Sequence, residues 1–244
     1  MVVTPGKVGE WLKSYFLRET TGTPFFRSAP VIVAERLTDG LAMVLLASGG
    51  LVLFRVGWQL VVLVLLLAFA VLVLAWTPPL AEGALAIAER LPMIASRVVH
   101  LREFYGSART IFSPQNLLLG VGLGFISWSG ECIAYYLVLQ GLGQPESLTL
   151  AVQAAFILAV ASLGGSLLLL PAGLGVAEGG ITGMAQVLLG MPRDLAVTSA
   201  ILIRLSTLWF GVTLGLVMLG VVTRSLAARA SLPQPSEEIR FTDL

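Results

Sequence analysis

Residues 148–178 read LTLAVQAAFILAVASLGGSLLLLPAGLGVAE: a predominantly apolar run followed by a proline, two glycines and a carboxylate. A helix of about 20 predominantly apolar residues crosses the roughly 30 Å hydrocarbon core of a bilayer. Residues 148–170 are therefore predicted to span a membrane. The helix breakers after them predict an interruption of regular structure close to that span.

The composition of the whole chain agrees with a membrane environment. Of the 244 residues, 57% are hydrophobic and 12% are charged, and the mean hydropathy is +0.91. An ordinary soluble domain carries about 25% charged residues. The net charge of +1, with no basic stripe, argues against nucleic-acid binding. Because Cys132 and His100 are the single residues of their types, we expect no internal disulfide, metal site or metal cofactor.

Five stretches are long and apolar enough to cross the bilayer. Since lipid offers backbone groups no hydrogen-bond partners, each stretch is predicted to be helical. The predicted fold class is an all-α polytopic transmembrane helical bundle with broken or re-entrant helices. The stretches are residues 37–54, 58–76, 117–139, 148–170 and 195–222.

Two further segments differ from these spans. Residues 80–112 place apolar side chains on one helical face, which predicts an amphipathic helix at the membrane interface, started or kinked by Pro92. The alternative is a helical hairpin that packs on a soluble domain. Residues 225–244 predict a disordered tail, so that residues 1–224 form the membrane domain. The apolar face consists of Ile87, Leu91, Ile94, Val98, Leu101 and Tyr105.

The hexapeptide PGKVGE at residues 5–10 has the same make-up as PAGLGVAE at residues 171–178. A shift of 168 residues aligns Glu10 with Glu178, and it also aligns other residues that are scarce in apolar sequence. This predicts an internal repeat with units 5–56 and 171–224, a plan typical of membrane transporters, whose substrate site lies between the repeats. The other aligned pairs are Gly22 with Gly190, Pro24 with Pro192, and Arg36 with Arg204.

The repeat has consequences for topology. Two predicted spans, residues 117–139 and 148–170, lie directly upstream of Pro171, but only four residues precede Pro5. This predicts that about two spans are missing at the N-terminus, by truncation or by loss. Arginines mark both the 80–112 segment and the tail as cytoplasmic. The 80–112 segment and the tail lie on the same side of the membrane if residues 171–190 also cross it as a broken helix, because the number of crossings between them is then even. The two repeats are then inverted relative to each other.

PAGLGVAE itself predicts a helix end, a turn and a new helix. Pro171 lacks an N–H and Gly173 and Gly175 tolerate positive φ, so a helix should begin near Val176. Its N-terminus, inside the membrane, suits an anionic group such as a phosphate. Glu178 either belongs to that site, as its copy Glu10 suggests, or stabilises the helix dipole.

Arg204 carries the highest energetic cost of any residue in the apolar spans, and an intramembrane arginine indicates a functional site. Its partner is Glu178, Glu131 or a lipid phosphate, and the alternative role is a structural ion pair. Arg36 either repeats this role or extends its guanidinium to the interface.

Glu131, within FISWSGECIAYY at residues 125–136, is a second deep charge. It must be protonated, paired with another helix or exposed to water, and it suits proton coupling. The sequence contains no GxSxG, HExxH or P-loop motif, so we do not expect the chain to be an enzyme on its own.

Taken together, the motifs resemble the lysylphosphatidylglycerol synthase transmembrane-region family. They are PGKVGE followed by VAERLTDGLAMVLL at residues 33–46, and PAGLGVAE followed by ILIRLS at residues 201–206. Ala172 stands where the family usually has glycine. The resemblance implies a multi-pass inner-membrane flippase-like protein that moves a phospholipid or lipid-linked saccharide between leaflets. Its characteristic polar positions are Glu10, Arg36, Glu178 and Arg204.

Two alternatives stay open beside lipid transport. One is a membrane subunit of a lipid-modifying glycosyl- or aminoacyl-transferase, which needs a transferase partner protein because this chain has no catalytic motif. The other is an assembly module that transports nothing. The sequence does not name the lipid, the energy source or the oligomeric state.

Overall fold

The computed structural model describes residues 14, 17, 18, 21, 22, 24–54, 57–90, 98–167 and 173–230, with side chains as far as Arg224. All regular structure in these ranges is helical, which confirms the predicted all-α class. The helices are α1 (Phe25–Phe54), α2 (Trp58–Trp76), α3 (Pro78–Arg90), α4 (Val98–Ile111), α5 (Pro114–Gly141), α6 (Leu148–Leu167), α7 (Val176–Leu189), α8 (Arg193–Arg204), a π-helical turn (Leu205–Trp209), and α9 (Phe210–Ala230).

Five helical stretches in the described part of the chain are long and apolar enough to cross a membrane, in agreement with the predicted spans. They are α1, α2, α5, α6 and the stretch Arg193–Arg224. Helix α1 begins at Phe25, well before the predicted start at residue 37. Hydropathy missed this first part because it contains Pro30 and the charged residues Glu35 and Arg36, yet the helix continues through all three.

Helix α6 forms the centre of the bundle and packs against α1, α2, α5 and α7. Small residues make the close contacts. A Cβ atom placed on Gly50 of α1 would overlap the Phe156 side chain of α6, and one on Gly180 of α7 would lie 3.2 Å from the Ala161 Cβ. Membrane helices associate through such close packing because lipid tails supply no hydrophobic driving force between them.

Hydrogen bonds of polar side chains join the helices at a few buried or half-buried points. The Tyr135 hydroxyl of α5 lies 3.3 Å from the Ser199 hydroxyl of α8. Gln153 of α6 donates to the Leu188 carbonyl at the end of α7, at 2.9 Å. These bonds satisfy polar groups that the apolar surroundings would otherwise leave unpaired.

The segment predicted as one amphipathic helix at residues 80–112 is described as α3 and α4. Pro92 and residues 91–97 lie outside the described residues. Arg102 of α4 pairs with Glu89 of α3 at 2.8 Å, and α4 packs on α1, where His100 stacks on Phe26 at a ring distance of 4.4 Å. Position at a membrane interface stays a prediction. In the predicted tail, helix α9 continues to Ala230, and residues 231–244 lie outside the description.

Candidate functional site

The turn predicted from PAGLGVAE is present. Helix α6 ends at Leu167 and helix α7 begins at Val176, the predicted position. Gly173 and Gly175 adopt φ angles of 64° and 84°, which residues with a side chain rarely adopt. Gly173 also touches α6, since a Cβ atom on it would lie 3.1 Å from the Gly165 Cα. Pro171 lies outside the described residues.

Helix α7 is a short element inside a bundle of long ones. Its 14 residues measure about 21 Å at 1.5 Å per residue, less than the roughly 30 Å of a hydrocarbon core. It packs between α6 and α8. The glycine turn therefore places a helix N-terminus beside a spanning helix, as a broken or re-entrant segment does.

Glu178 makes two contacts from the first turn of α7. Its Oε2 accepts a 2.6 Å hydrogen bond from the N–H of Gly175, the residue that caps the helix. Its Oε1 accepts a 2.6 Å hydrogen bond from Nε of Arg204. One carboxylate thus caps α7 and pairs with the arginine, which agrees with the expected role at the helix dipole, while its membership of an anion site stays a prediction.

A π-helical turn follows Arg204 directly. Residues Leu205–Trp209 interrupt the predicted span 195–222 and separate α8 from α9. The hydroxyls of Ser206 and Thr207 bond back to the carbonyls of Leu202 and Ile203, each at 2.9 Å. π-Turns inside helices occur often at functional sites. The sequence analysis missed this π-turn, and its one signal was the pair of hydroxyl residues next to the arginine.

The Arg204 side chain lines a cavity of about 880 Å³ between the helices. The walls come mainly from α1, α2, α5 and α6, with smaller contributions from the glycine turn, α7, α8, the π-turn and α9, and most of the lining residues are apolar. A ligand pocket of this kind has a volume of about 300–1,000 Å³ and a few placed polar groups. The polar groups here include Arg36, Asp39, Glu131, Ser166, Arg204 and Thr207.

The cavity brings together residues that are distant in sequence. Arg36, Glu131, Gly173 and Arg204 line it. Glu178 stands behind Arg204 as its partner. Gly175 caps α7 and is absent from the lining. Glu10 lies outside the described residues.

The ion pairs of the two cavity arginines differ in distance and in exposure to solvent. Arg204 and Glu178 meet at 2.6 Å with side chains 17% and 27% exposed. Arg36 lies 3.3 Å from both Glu35 and Asp39, and its side chain is 40% exposed. The Arg204 pair is thus shorter and more deeply placed. Within the described ranges, no group of three or more His, Cys, Asp or Glu side chains is arranged to bind a metal ion.

Local structure is alike at the aligned positions of the predicted repeat. Gly22 and Gly190 have φ angles of 70° and 63°. Pro24 and Pro192 directly precede helices α1 and α8, so Arg36 and Arg204 occupy the same place along their helices. These matches support the repeat, which itself stays a prediction.

Comparison with known proteins gives one match. The model of a family described as the lysylphosphatidylglycerol synthase TM region matches residues 1–215, a range that contains every residue of the candidate site. No curated protein matches the chain, and no solved structure does.

Proposed function

The chain belongs to the lysylphosphatidylglycerol synthase transmembrane-region family, and from this membership we propose that it moves a phospholipid or a lipid-linked saccharide between membrane leaflets. The family and the five apolar helices indicate a multi-pass membrane protein of lipid-related function. Beyond this lipid-related function, we propose that the chain transports lipid as a flippase does, and that it lies in the inner (cytoplasmic) membrane.

The observation that carries the proposal is the convergence of Arg36 and Arg204 on one cavity among apolar helices. An arginine within a membrane span is costly, so its position there indicates a function. A guanidinium binds a phosphate through two parallel hydrogen bonds, and phosphate is common to phospholipids and polyprenyl-linked saccharides. The cavity therefore suits the head group of such a lipid.

The partners of Arg204 suggest how a head group enters and leaves. A phosphate that reaches the guanidinium competes with the Glu178 carboxylate, which keeps its second hydrogen bond to Gly175. The glycine turn at Gly173 and Gly175 gives α7 a short hinge next to this pair. Movement of α7 relative to α6 then accompanies exchange of the carboxylate for the phosphate.

The family description supports a second candidate because it names a synthase. In that case the chain is a membrane subunit that presents a lipid to a transferase partner protein, which would carry out glycosyl or aminoacyl transfer. The same cavity would then hold the lipid acceptor or donor while the partner acts on it.

Proteoliposomes with a fluorescent phospholipid distinguish these functions. We expect the purified chain to expose inner-leaflet lipid to an external quencher, and we expect Arg204→Ala and Glu178→Ala to slow this exposure. Arg193→Ala, at the exposed start of α8, is the matched control. Unchanged transport in both site variants would refute the assigned roles.

Two further measurements test the alternatives. A chemically altered lipid, found by mass spectrometry after incubation with a donor and cell membranes, supports the transferase subunit. If transport is absent and loss of the chain lowers only the amount of another membrane protein, the chain is an assembly module.

A further inference from the structure

Glu131 lies deep in a membrane-spanning helix and faces the cavity. It is about 15 Å from the Gly141 end of α5, at 1.5 Å per residue. The sequence has no Lys or Arg between Arg109 and Arg193, so no cation of α5, α6 or α7 accompanies it. The side chain is half-buried and contributes to the cavity wall.

Glu131 differs from the other cavity charges in having no ion-pair or hydrogen-bond partner within the described part of the chain. Arg204 is held by Glu178 at 2.6 Å, and Arg36 by Asp39 at 3.3 Å. Glu131 forms neither an ion pair nor a hydrogen bond with any described residue. An unpaired carboxylate among apolar helices is costly, and binding of a proton removes that cost.

The ionisable groups around Glu131 come from few elements. Helix α5 packs against α1, α6 and α8. Helix α1 contributes Arg36 and Asp39 to the cavity, with Glu35 beside Arg36; α8 contributes Arg204; and α6 has no ionisable residue. On α5 itself, Cys132 is buried in the core and the Tyr135 hydroxyl is bonded to Ser199.

This arrangement links the proton on Glu131 to the occupancy of the cavity. A head-group phosphate at Arg204 adds negative charge to the cavity that Glu131 shares, which favours the protonated carboxyl. Departure of the phosphate restores the Arg204 pair with Glu178 and favours release of the proton. Two ligands that alter each other's binding in this way are thermodynamically coupled.

We propose that Glu131 is the proton-binding site that couples lipid movement to a proton gradient. The inference rests on the proposed lipid transport and adds its energy source. In each cycle the Glu131 carboxylate takes up one proton when the cavity faces the more acidic side and releases it to the other side. No covalent bond other than the carboxyl O–H forms or breaks.

Coupling of one proton to one lipid has a measurable consequence. A gradient of one pH unit corresponds to 1.36 kcal/mol, or about a tenfold change in an equilibrium constant. The steady-state ratio of fluorescent phospholipid between leaflets therefore departs from its symmetrical value by up to about tenfold. An uncoupled transporter reaches the symmetrical value at any pH gradient.

The experiment uses the full chain in proteoliposomes with a fluorescent phosphatidylglycerol, equal potassium concentrations and valinomycin on both sides, and a pH difference of one unit. We compare wild type with Glu131→Gln, with Glu131→Asp, which keeps a carboxyl group, and with the exposed loop control Glu146→Gln. We expect wild type, the Asp variant and the Glu146 control to give a displaced leaflet ratio. The Gln variant should give the symmetrical ratio.

The outcomes separate the inference from the function on which it rests. Lipid movement in wild type with a symmetrical ratio under the gradient refutes proton coupling and leaves transport standing. A displaced ratio in Glu131→Gln assigns coupling to another group and refutes the role of Glu131. Absence of movement in wild type, with or without a gradient, refutes the proposed transport and therefore the coupling.

Discussion

Glu178 of α7 and Arg204 of α8 are joined by a hydrogen bond of 2.6 Å between Oε1 and Nε, while the second oxygen of the same carboxylate holds the N–H of Gly175. The pair thus ties the start of a short helix to the end of a neighbouring one. Removal of Glu178 and removal of Arg204 have different consequences. Loss of the Glu178 side chain breaks both hydrogen bonds, whereas loss of the Arg204 side chain leaves the cap of α7 in place.

Glu178→Ala should lower the free energy of unfolding by about 2–3 kcal/mol, through loss of the helix cap and of the partly buried ion pair. Glu178→Gln should lower it less, because an amide oxygen still accepts from Gly175. Unfolding in detergent with increasing SDS gives the comparison. Equal stability of the Ala and Gln variants would show that the cap contributes nothing.

Gly173→Ala should destabilise the fold by about 1–3 kcal/mol, since it combines a positive φ with a methyl group against Gly165. Gly179→Ala is the matched control, because it lies in α7 with open space around it and should gain up to about 1 kcal/mol of helix propensity. The same SDS titration measures both. A stable Gly173→Ala variant would mean that the turn does not require glycine.

Ser166→Trp should block the cavity and slow lipid movement by about tenfold, which corresponds to about 1.4 kcal/mol of steric overlap with the head group. Ser127→Trp places the same side chain on an exposed position of α5 and should leave the rate unchanged. Initial rates of quencher accessibility provide the measurement. Equal rates for the two variants would place the transport path elsewhere.

Removal of the Tyr135 hydroxyl and removal of the Ser199 hydroxyl should destabilise the fold by different amounts. Ser199 donates its hydrogen to the Ala196 carbonyl at 2.8 Å, so the Tyr135 hydroxyl donates to Ser199. Tyr135→Phe should cost about 1 kcal/mol, whereas Ser199→Ala leaves a buried donor unpaired and should cost about 1–3 kcal/mol. Thermal unfolding in detergent tests the order, and the reverse order would show that the donor assignment is wrong.

Local sequence was sufficient for the five spans and for the start of α7. Hydropathy located the five spans, and the glycines of PAGLGVAE gave the start of α7 at Val176. The first part of α1 was not predicted as part of a span, because Pro30, Glu35 and Arg36 lower the hydropathy averaged over a window of sequence. The helix nevertheless continues through these residues and packs against α4, α5 and α6.

The site depended on contacts that sequence spacing does not encode. Glu178 stood among three proposed partners of Arg204, and the fold places this carboxylate against the guanidinium. The meeting of Arg36, Glu131 and Arg204 in one cavity arises from the packing of α1, α5 and α8, which join residues far apart in the chain. No periodic sequence pattern predicts the π-turn, because it adds only one residue to a single helical turn.

The pairing of Glu178 with Arg204 also predicts how the proposed movement of α7 responds to voltage. One elementary charge carried across the bilayer is worth about 2.3 kcal/mol per 100 mV. Opposite charges only 2.6 Å apart that move together transfer almost no net charge. Shifts of α7 and α8 as a unit should therefore be electrically silent, so that a gating current arises only when the carboxylate and the guanidinium separate.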